Sequence, residues 1–206
     1  MSIKLLIADL DKTVRRPTEG EYTNTPENQT IIPEAAEALS RYADAGYTIV
    51  GATNQGGVQC GHKSLEDCIA EQRYTMALAP MIQRVYFCPD GLMPWWLRWA
   101  RVLGFGLSSC YEVSPSSLNQ FQEHYCDEDY SLATGGGSGW GFGSASYRKP
   151  GGLMLFLAAQ NSVAGTLETW PDEILVAGDQ ETDRQAAQVL GYRFEWASDW
   201  WVSTPA

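Results

Sequence analysis

Basic residues are scarce in this chain: 14 Lys and Arg stand against 25 Asp and Glu, leaving a net charge of −11. A surface that acidic repels polyanions, which argues against broad binding to nucleic acid or to anionic membranes. It does not exclude a local basic pocket, because one or two lysines can hold a single phosphate. Cysteine is sparse and irregularly placed. Cys60, Cys68, Cys88, Cys110 and Cys126 form no CxxC pair and are odd in number, so a dense disulfide framework is excluded and reduced thiols are expected. Long apolar runs are absent, which leaves no candidate membrane span. The early apolar run is short and ends in aspartates, unlike a signal peptide, so a cytoplasmic, soluble protein is expected.

What the chain does contain begins at Lys4-Leu5-Leu6-Ile7-Ala8-Asp9-Leu10-Asp11-Lys12-Thr13. A continuous apolar run of this length predicts a buried strand of a parallel sheet. In open α/β sheets, ligands bind outside the carboxyl ends of the strands. Residues at i and i+2 on a strand project the same way, which aims Asp9 and Asp11 into one pocket. An Asp-rich turn is the bland alternative.

The remainder alternates. Val14 to Gln29 is polar and aperiodic, a loop or short hairpin flap in which Arg15 and Arg16 lie near the site and could meet a substrate anion. Pro33 to Gly46 predicts a helix, with Pro in the first turn and Gly as the stop. Tyr47–Ala52 predicts a second strand running into Thr53, Asn54 and Gln55. Ser64–Gln83 predicts a second helix and Arg84–Cys88 a third strand. From Pro89 to Tyr147 the composition changes, with Trp95, Trp96, Trp99 and Trp140 and a glycine run over 135–143. That stretch is too long for a plain loop and predicts an insertion, with a helix near 94–103 and an irregular middle. Arg148, Lys149 and Pro150 precede an apolar helix (153–159). A fourth strand (173–177) ends in Gly178-Asp179-Gln180-Glu181-Thr182-Asp183, then come a helix (184–190) and a fifth strand (192–196). The pattern predicts an α/β protein with a Rossmann-like parallel sheet of about five strands flanked by helices. Its core spans 1–88 and 148–206, with a Trp- and Gly-rich insertion or small cap at 89–147.

Four strand-to-loop junctions thus carry chemical groups: Asp9/Asp11/Thr13, Thr53/Asn54, Lys149 and Asp179/Asp183. In order and spacing they resemble the four signature motifs of the haloacid dehalogenase superfamily of phosphatases and phosphotransferases. Within it, Thr53-Asn54-Gln55-Gly56-Gly57-Val58, Tyr86-Phe87-Cys88-Pro89 and Arg148-Lys149-Pro150 resemble the small-cap branch of histidinol-phosphate, heptose bisphosphate and polynucleotide 3′-phosphatases. Lys12 stands where glycine is usual, which suggests a backbone there without positive φ. The zinc loop of bacterial sugar enzymes in that branch has scattered candidates here (Cys88, Asp90, Cys110, His124, Cys126), but no tight ligand pairs.

The resemblance implies a Mg²⁺-dependent phosphomonoesterase acting through an aspartyl-phosphate, on a small phosphorylated metabolite. Asp9 would be the nucleophile and Asp11 the general acid and base. Thr53 and Lys149 would complete the catalytic group. Thr13, Asn54, Gln55 and Arg148 would bind substrate. Metal ligands would be Asp9, the Asp11 carbonyl and Asp179, with Asp183 in support; carboxylate oxygens with a phosphate select Mg²⁺. A polynucleotide 3′-phosphatase, acting at a 3′ end, is the first alternative, and a non-catalytic binding protein on the same fold is the second. The chain would act as a monomer or homodimer, with no membrane partner.

Overall fold

The structure is a computed structural model that describes residues 2–23, 25–89, 108–123, 147–162 and 170–205. Its axis is β1 (Lys4–Ala8). Leu5, Leu6, Ile7 and Ala8 are all fully buried, so the strand needs cover on both faces. Leu6 and Ala8 face a core that takes in Leu39 and Tyr42 of α1 (Pro33–Asp44), Met76 of α2 (Leu65–Leu78) and Trp200 of the short α5 (Ala197–Trp200). Leu5 and Ile7 face the opposite core, built from Met154, Leu155 and Ala158 of α3 (Leu153–Ser162) and Ala186 and Ala187 of α4 (Glu181–Val189). Burying each of those large side chains contributes about 1.5–3 kcal/mol, enough to hold the strand's end rigidly.

Two parallel strands flank β1: β4 (Tyr47–Asn54) and β8 (Glu173–Gly178). Ala8 pairs with Gly51 on one side and Ala177 on the other, so three carboxyl ends open at one level. β5 (Ile82–Cys88) lies beyond β4, and β9 (Arg193–Trp196) beyond β8, both parallel.

The five expected parallel strands are β5, β4, β1, β8 and β9, and the insertion adds two more. The sheet has seven, in the order β7–β6–β5–β4–β1–β8–β9, because β6 (Ser108–Val113) and β7 (Leu118–Glu123) add an antiparallel hairpin to the edge of β5. The stretch expected to be irregular therefore contributes sheet. An uncovered β5 edge would present unpaired backbone groups, and the hairpin satisfies them. It is fastened by a buried carboxylate, Glu112, which accepts from the Tyr86 hydroxyl at 2.7 Å, from Asn119 at 3.1 Å and from Asn161 at 3.2 Å. The tryptophans at 95, 96, 99 and 140, the expected helix near 94–103 and the glycine run lie outside the described residues.

Local signals set most boundaries. Pro33 opens α1, and Gly46 closes it with a left-handed backbone (φ +82°). The Ser64 side chain caps α2 by accepting from the Asp67 N–H at 3.0 Å. The expected flap is a hairpin whose stems, β2 (Arg15–Arg16) and β3 (Thr30–Ile31), pair antiparallel. β4 runs two residues past its expected end, making Thr53 and Asn54 the tip of the strand. No described helix is long and apolar enough to cross a membrane.

Candidate active site

Asp9 follows β1 directly, and its N–H continues the ladder to the Ala177 carbonyl at 2.8 Å. The chain then doubles back: Val14 and Arg15 N–H groups both bond the Leu10 carbonyl at 2.9 Å, and Lys12 N–H bonds the Arg15 carbonyl at 2.8 Å. Closing this loop forces Lys12 to φ +67°, contrary to the expectation that a non-glycine residue there avoids positive φ. A left-handed lysine costs on the order of 1–3 kcal/mol, which the three hydrogen bonds offset. Trp201 adds a fourth tie, donating from Nε1 to the Thr13 carbonyl at 2.9 Å.

Lys149 comes from far along the chain and lies almost wholly buried beside Asp9. Asn54 at the tip of β4 clamps its backbone, accepting from Lys149 N–H at 3.0 Å and donating to its carbonyl at 3.0 Å. Asn54 thus acts on the lysine rather than standing open toward a substrate. The three ammonium protons of Lys149 go to Asp9 Oδ1 at 2.6 Å, the Ala52 carbonyl at 2.8 Å and Asp183 Oδ1 at 2.5 Å. Burial alone would lower its pKa, but the flanking Asp9 and Asp183 carboxylates raise it, so it stays charged.

Asp183 has two duties. One oxygen pairs with Lys149, and the other accepts from the Gln180 N–H at 2.9 Å as part of the capping box that starts α4. The residue thus caps the helix with one oxygen while the other lies beside Asp9 in the acidic cluster. Its carboxylate lies against Gly178, where a Cβ would come within 2.5 Å of the Asp183 side chain. Only glycine allows that approach.

Asp9, Asp179 and Asp183 offer carboxylate oxygens that all lie within 4.8 Å of one another. One lysine serves two of these acids. Burial pushes the Asp9 carboxyl up to about 8, with Asp183 and Asp11 adding to the rise and Lys149 opposing it. Asp179 is likewise raised by burial and by Asp183. Its Oδ1 is buried with no hydrogen-bond partner among the described residues. An orphaned carboxylate oxygen beside two crowded acids is a donor set that fits a small hard cation.

Asp11 projects from the turn with its side chain 44% exposed. Arg15 Nε donates to its Oδ1 at 3.0 Å, and Gln55 Nε2 (2.8 Å) and Thr53 Oγ1 (3.2 Å) donate to its Oδ2. Desolvation works to raise this carboxyl, and Arg15, Lys63 and Gln55 together outweigh it, holding Asp11 below the usual carboxylate range. Its side chain stands outside the three-carboxylate cluster. Arg15 is fully buried and engaged with Asp11 and Glu71, which corrects the expectation that it could meet a substrate anion. Arg16 is exposed, and Arg148 is half-buried next to Lys149. Of the zinc candidates, Cys88 and Cys110 are buried in the sheet core, while Asp90, His124 and Cys126 lie outside the described residues.

No family model matches the chain. It is 29% identical over 135 residues to the D-glycero-beta-D-manno-heptose-1,7-bisphosphate 7-phosphatase of Pseudomonas aeruginosa, covering 61% of this chain and 65% of that one. It is 34% identical over 92 residues to the D-glycero-D-manno-heptose-1,7-bisphosphate 7-phosphatase of Chlorobaculum tepidum, covering 43% of this chain and 46% of that one. The chain therefore spans less than two thirds of the length of these relatives. Among solved structures, the D,D-heptose 1,7-bisphosphate phosphatase of Bordetella bronchiseptica, complexed with magnesium and phosphate, superposes with a TM-score of 0.56 at 20% identity. That match covers 93% of this chain and 79% of the other. The chain is thus similar in sequence to these heptose bisphosphate phosphatases and shares the fold of the solved one.

The fold brings Asp9, Asp11, Thr13, Thr53, Lys149, Asp179 and Asp183 to one mouth at the carboxyl ends of β1, β4 and β8. Sequence reasoning missed Lys63 and Glu71, which lie behind Asp11. A signal for Glu71 existed. The inward face of α2 reads Cys68, Glu71, Gln72, Thr75, Met76, polar at positions where a core-facing helix is ordinarily apolar.

Proposed function

We propose that this chain is a Mg²⁺-dependent phosphomonoesterase acting on a small phosphorylated metabolite, a sugar phosphate in the first instance. The observation that carries the reading is the Asp9 carboxylate. One oxygen is fixed by Lys149, while Oδ2 has only a long 3.4 Å contact from the Thr13 hydroxyl among the described residues. An oriented carboxylate with a spare lone pair at the mouth of the sheet is equipped to attack phosphorus. Attack by Asp9 Oδ2 forms its bond to phosphorus as the bond from phosphorus to the leaving oxygen breaks, and Asp11, ionised in the free site, takes a proton from the entering phosphate monoanion and delivers it to that oxygen. Asp11 then takes a proton from the water that opens the aspartyl-phosphate. Thr53, whose hydroxyl now rests on Asp11, is placed to turn to a phosphoryl oxygen. Lys149 has all three protons committed to the protein, so its part is to orient Asp9 and balance the acids rather than to travel with the substrate.

Asp9, Asp179 and Asp183 fit Mg²⁺, with Asp183 shared with Lys149. Bound there, the ion would offset the acids and the substrate dianion. The heptose bisphosphate phosphatases among the relatives support a sugar phosphate as substrate, and the acidic surface favours a small molecule over a polynucleotide 3′ end. The test is phosphate release from sugar phosphates, nucleotides and a 3′-phosphorylated oligonucleotide, with and without Mg²⁺. Metal-dependent turnover of a sugar phosphate is expected. Turnover of the oligonucleotide alone would replace the substrate, and no turnover of any ester would end the reading.

Mg²⁺ binding should also be linked to protons. Burial pushes the Asp9 carboxyl up to about 8, so it carries a proton for part of the time near neutral pH before the cation enters. It must ionise to accept a positive neighbour, so binding releases a proton at pH values between the ordinary carboxylate range and about 8. Affinity should rise by up to about tenfold per pH unit across that window and level off above it. Calorimetric titration of Mg²⁺ in two buffers of different ionisation enthalpy measures the release. Equal heats in both buffers at pH 7 would contradict it.

A further inference from the structure

Behind Asp11 lies a closed ring of buried side chains. Arg15 joins Asp11 Oδ1 to Glu71 Oε1, through Nε at 3.0 Å and Nη2 at 2.5 Å. On the other side, Lys63 Nζ joins Glu71 Oε2 at 2.5 Å to Gln55 Oε1 at 2.6 Å, and Gln55 Nε2 returns to Asp11 Oδ2 at 2.8 Å. Each oxygen of Glu71 is thereby connected to a different oxygen of Asp11. Glu71 is 1% exposed and Arg15 fully buried. Two cations balance two carboxylates, so the ring is neutral as a whole. The flap is tied in at two points. Gln29 accepts from Arg15 at 3.0 Å and donates to the Glu71 carbonyl at 3.0 Å, and the Thr23 carbonyl accepts from Lys63 at 3.4 Å.

Apolar residues of similar volume would stabilise this helix face as well or better, since desolvating charges is costly. What they could not do is hold both oxygens of a mouth-facing carboxylate. We propose that Glu71 is a positioning residue for Asp11: through Arg15 and through the Lys63–Gln55 pair it sets the plane of that carboxylate toward the leaving oxygen, with Lys63 as the second arm. This rests on the phosphatase reading above.

The experiment compares kcat/KM for an alkyl phosphate and for p-nitrophenyl phosphate. A poor alkoxide leaving group needs a well-aimed proton, and nitrophenolate scarcely does. Glu71→Gln, which keeps the shape, should lower alkyl phosphate turnover by about 10–100-fold and p-nitrophenyl phosphate turnover by less than about threefold. Glu112→Gln, at a buried carboxylate far along the sheet, should move the two esters equally. Equal losses on both esters in Glu71→Gln, or no loss, would overturn the proposal while leaving the phosphatase reading intact. Should that variant show no cooperative melt, Lys63→Met carries the same expectation and the same refutation. Failure of the underlying reading looks different, because the wild-type chain would then release phosphate from neither ester.

Discussion

Asp9→Asn should release phosphate at least about a thousandfold more slowly than the wild-type chain, with the loss in kcat rather than KM. The amide oxygen can still accept from the Lys149 ammonium, which now donates to Asp9 Oδ1 at 2.6 Å, so the pocket keeps its shape. What disappears is the nucleophilic lone pair on Oδ2 and with it the covalent route. The same substitution should not weaken the fold. Burial already makes ionisation of Asp9 unfavourable, pushing it up to about 8, and a neutral amide removes that strain at higher pH. The expected pattern is therefore a dead enzyme that melts at or above the wild-type temperature. Activity within tenfold of wild type would show that Asp9 is not the attacking group.

Lys149→Met should fail in the opposite way, losing stability along with activity. The ammonium is the shared partner of Asp9 and Asp183, and it also satisfies the Ala52 carbonyl. Removing it leaves two carboxylates packed together without their cation. Breaking a buried pair in this way costs about 3–5 kcal/mol. For a chain of this size that lowers the melting temperature by roughly 6–20 °C. Turnover should fall by more than about a hundredfold as Asp9 loses its anchor. Added Mg²⁺ should restore part of the melting temperature, because a cation among Asp9, Asp179 and Asp183 supplies the missing charge. A variant melting within a degree or two of wild type, with and without metal, would contradict this account of the pocket.

Several features were legible because they are local. The apolar run of β1 and the acids that end it declare a buried strand with chemistry at its tip, and Pro33 and Gly46 bracket α1. Asp183 lies early in α4, and each of its oxygens has a separate partner, the Gln180 N–H and Lys149. The strand pair β6–β7 was not legible. Its segment mixes serines, a buried glutamate and aromatics, and it becomes sheet only because β5 offers an edge and Tyr86, Asn119 and Asn161 satisfy Glu112. Lys12 misled for a related reason. A lysine rarely adopts positive φ by preference, and here the hydrogen bonds of the Leu10–Arg15 turn impose it.

By itself, then, the sequence determined the alternation of strands and helices, the placement of Asp9, Asp11, Thr53 and Asp179 at strand ends, and the acidic balance of the surface. Periodicity and end signals act over a few residues, and those statements need nothing more. Only the tertiary structure decided which charge neutralises which. Lys149 meets Asp9 across 140 positions of sequence, and Glu71 reaches Asp11 only through Arg15 and Lys63. Pairings of that kind follow from burial: once the layers close over β1, each charge left inside must find the partner that the fold, not the local chain, places beside it.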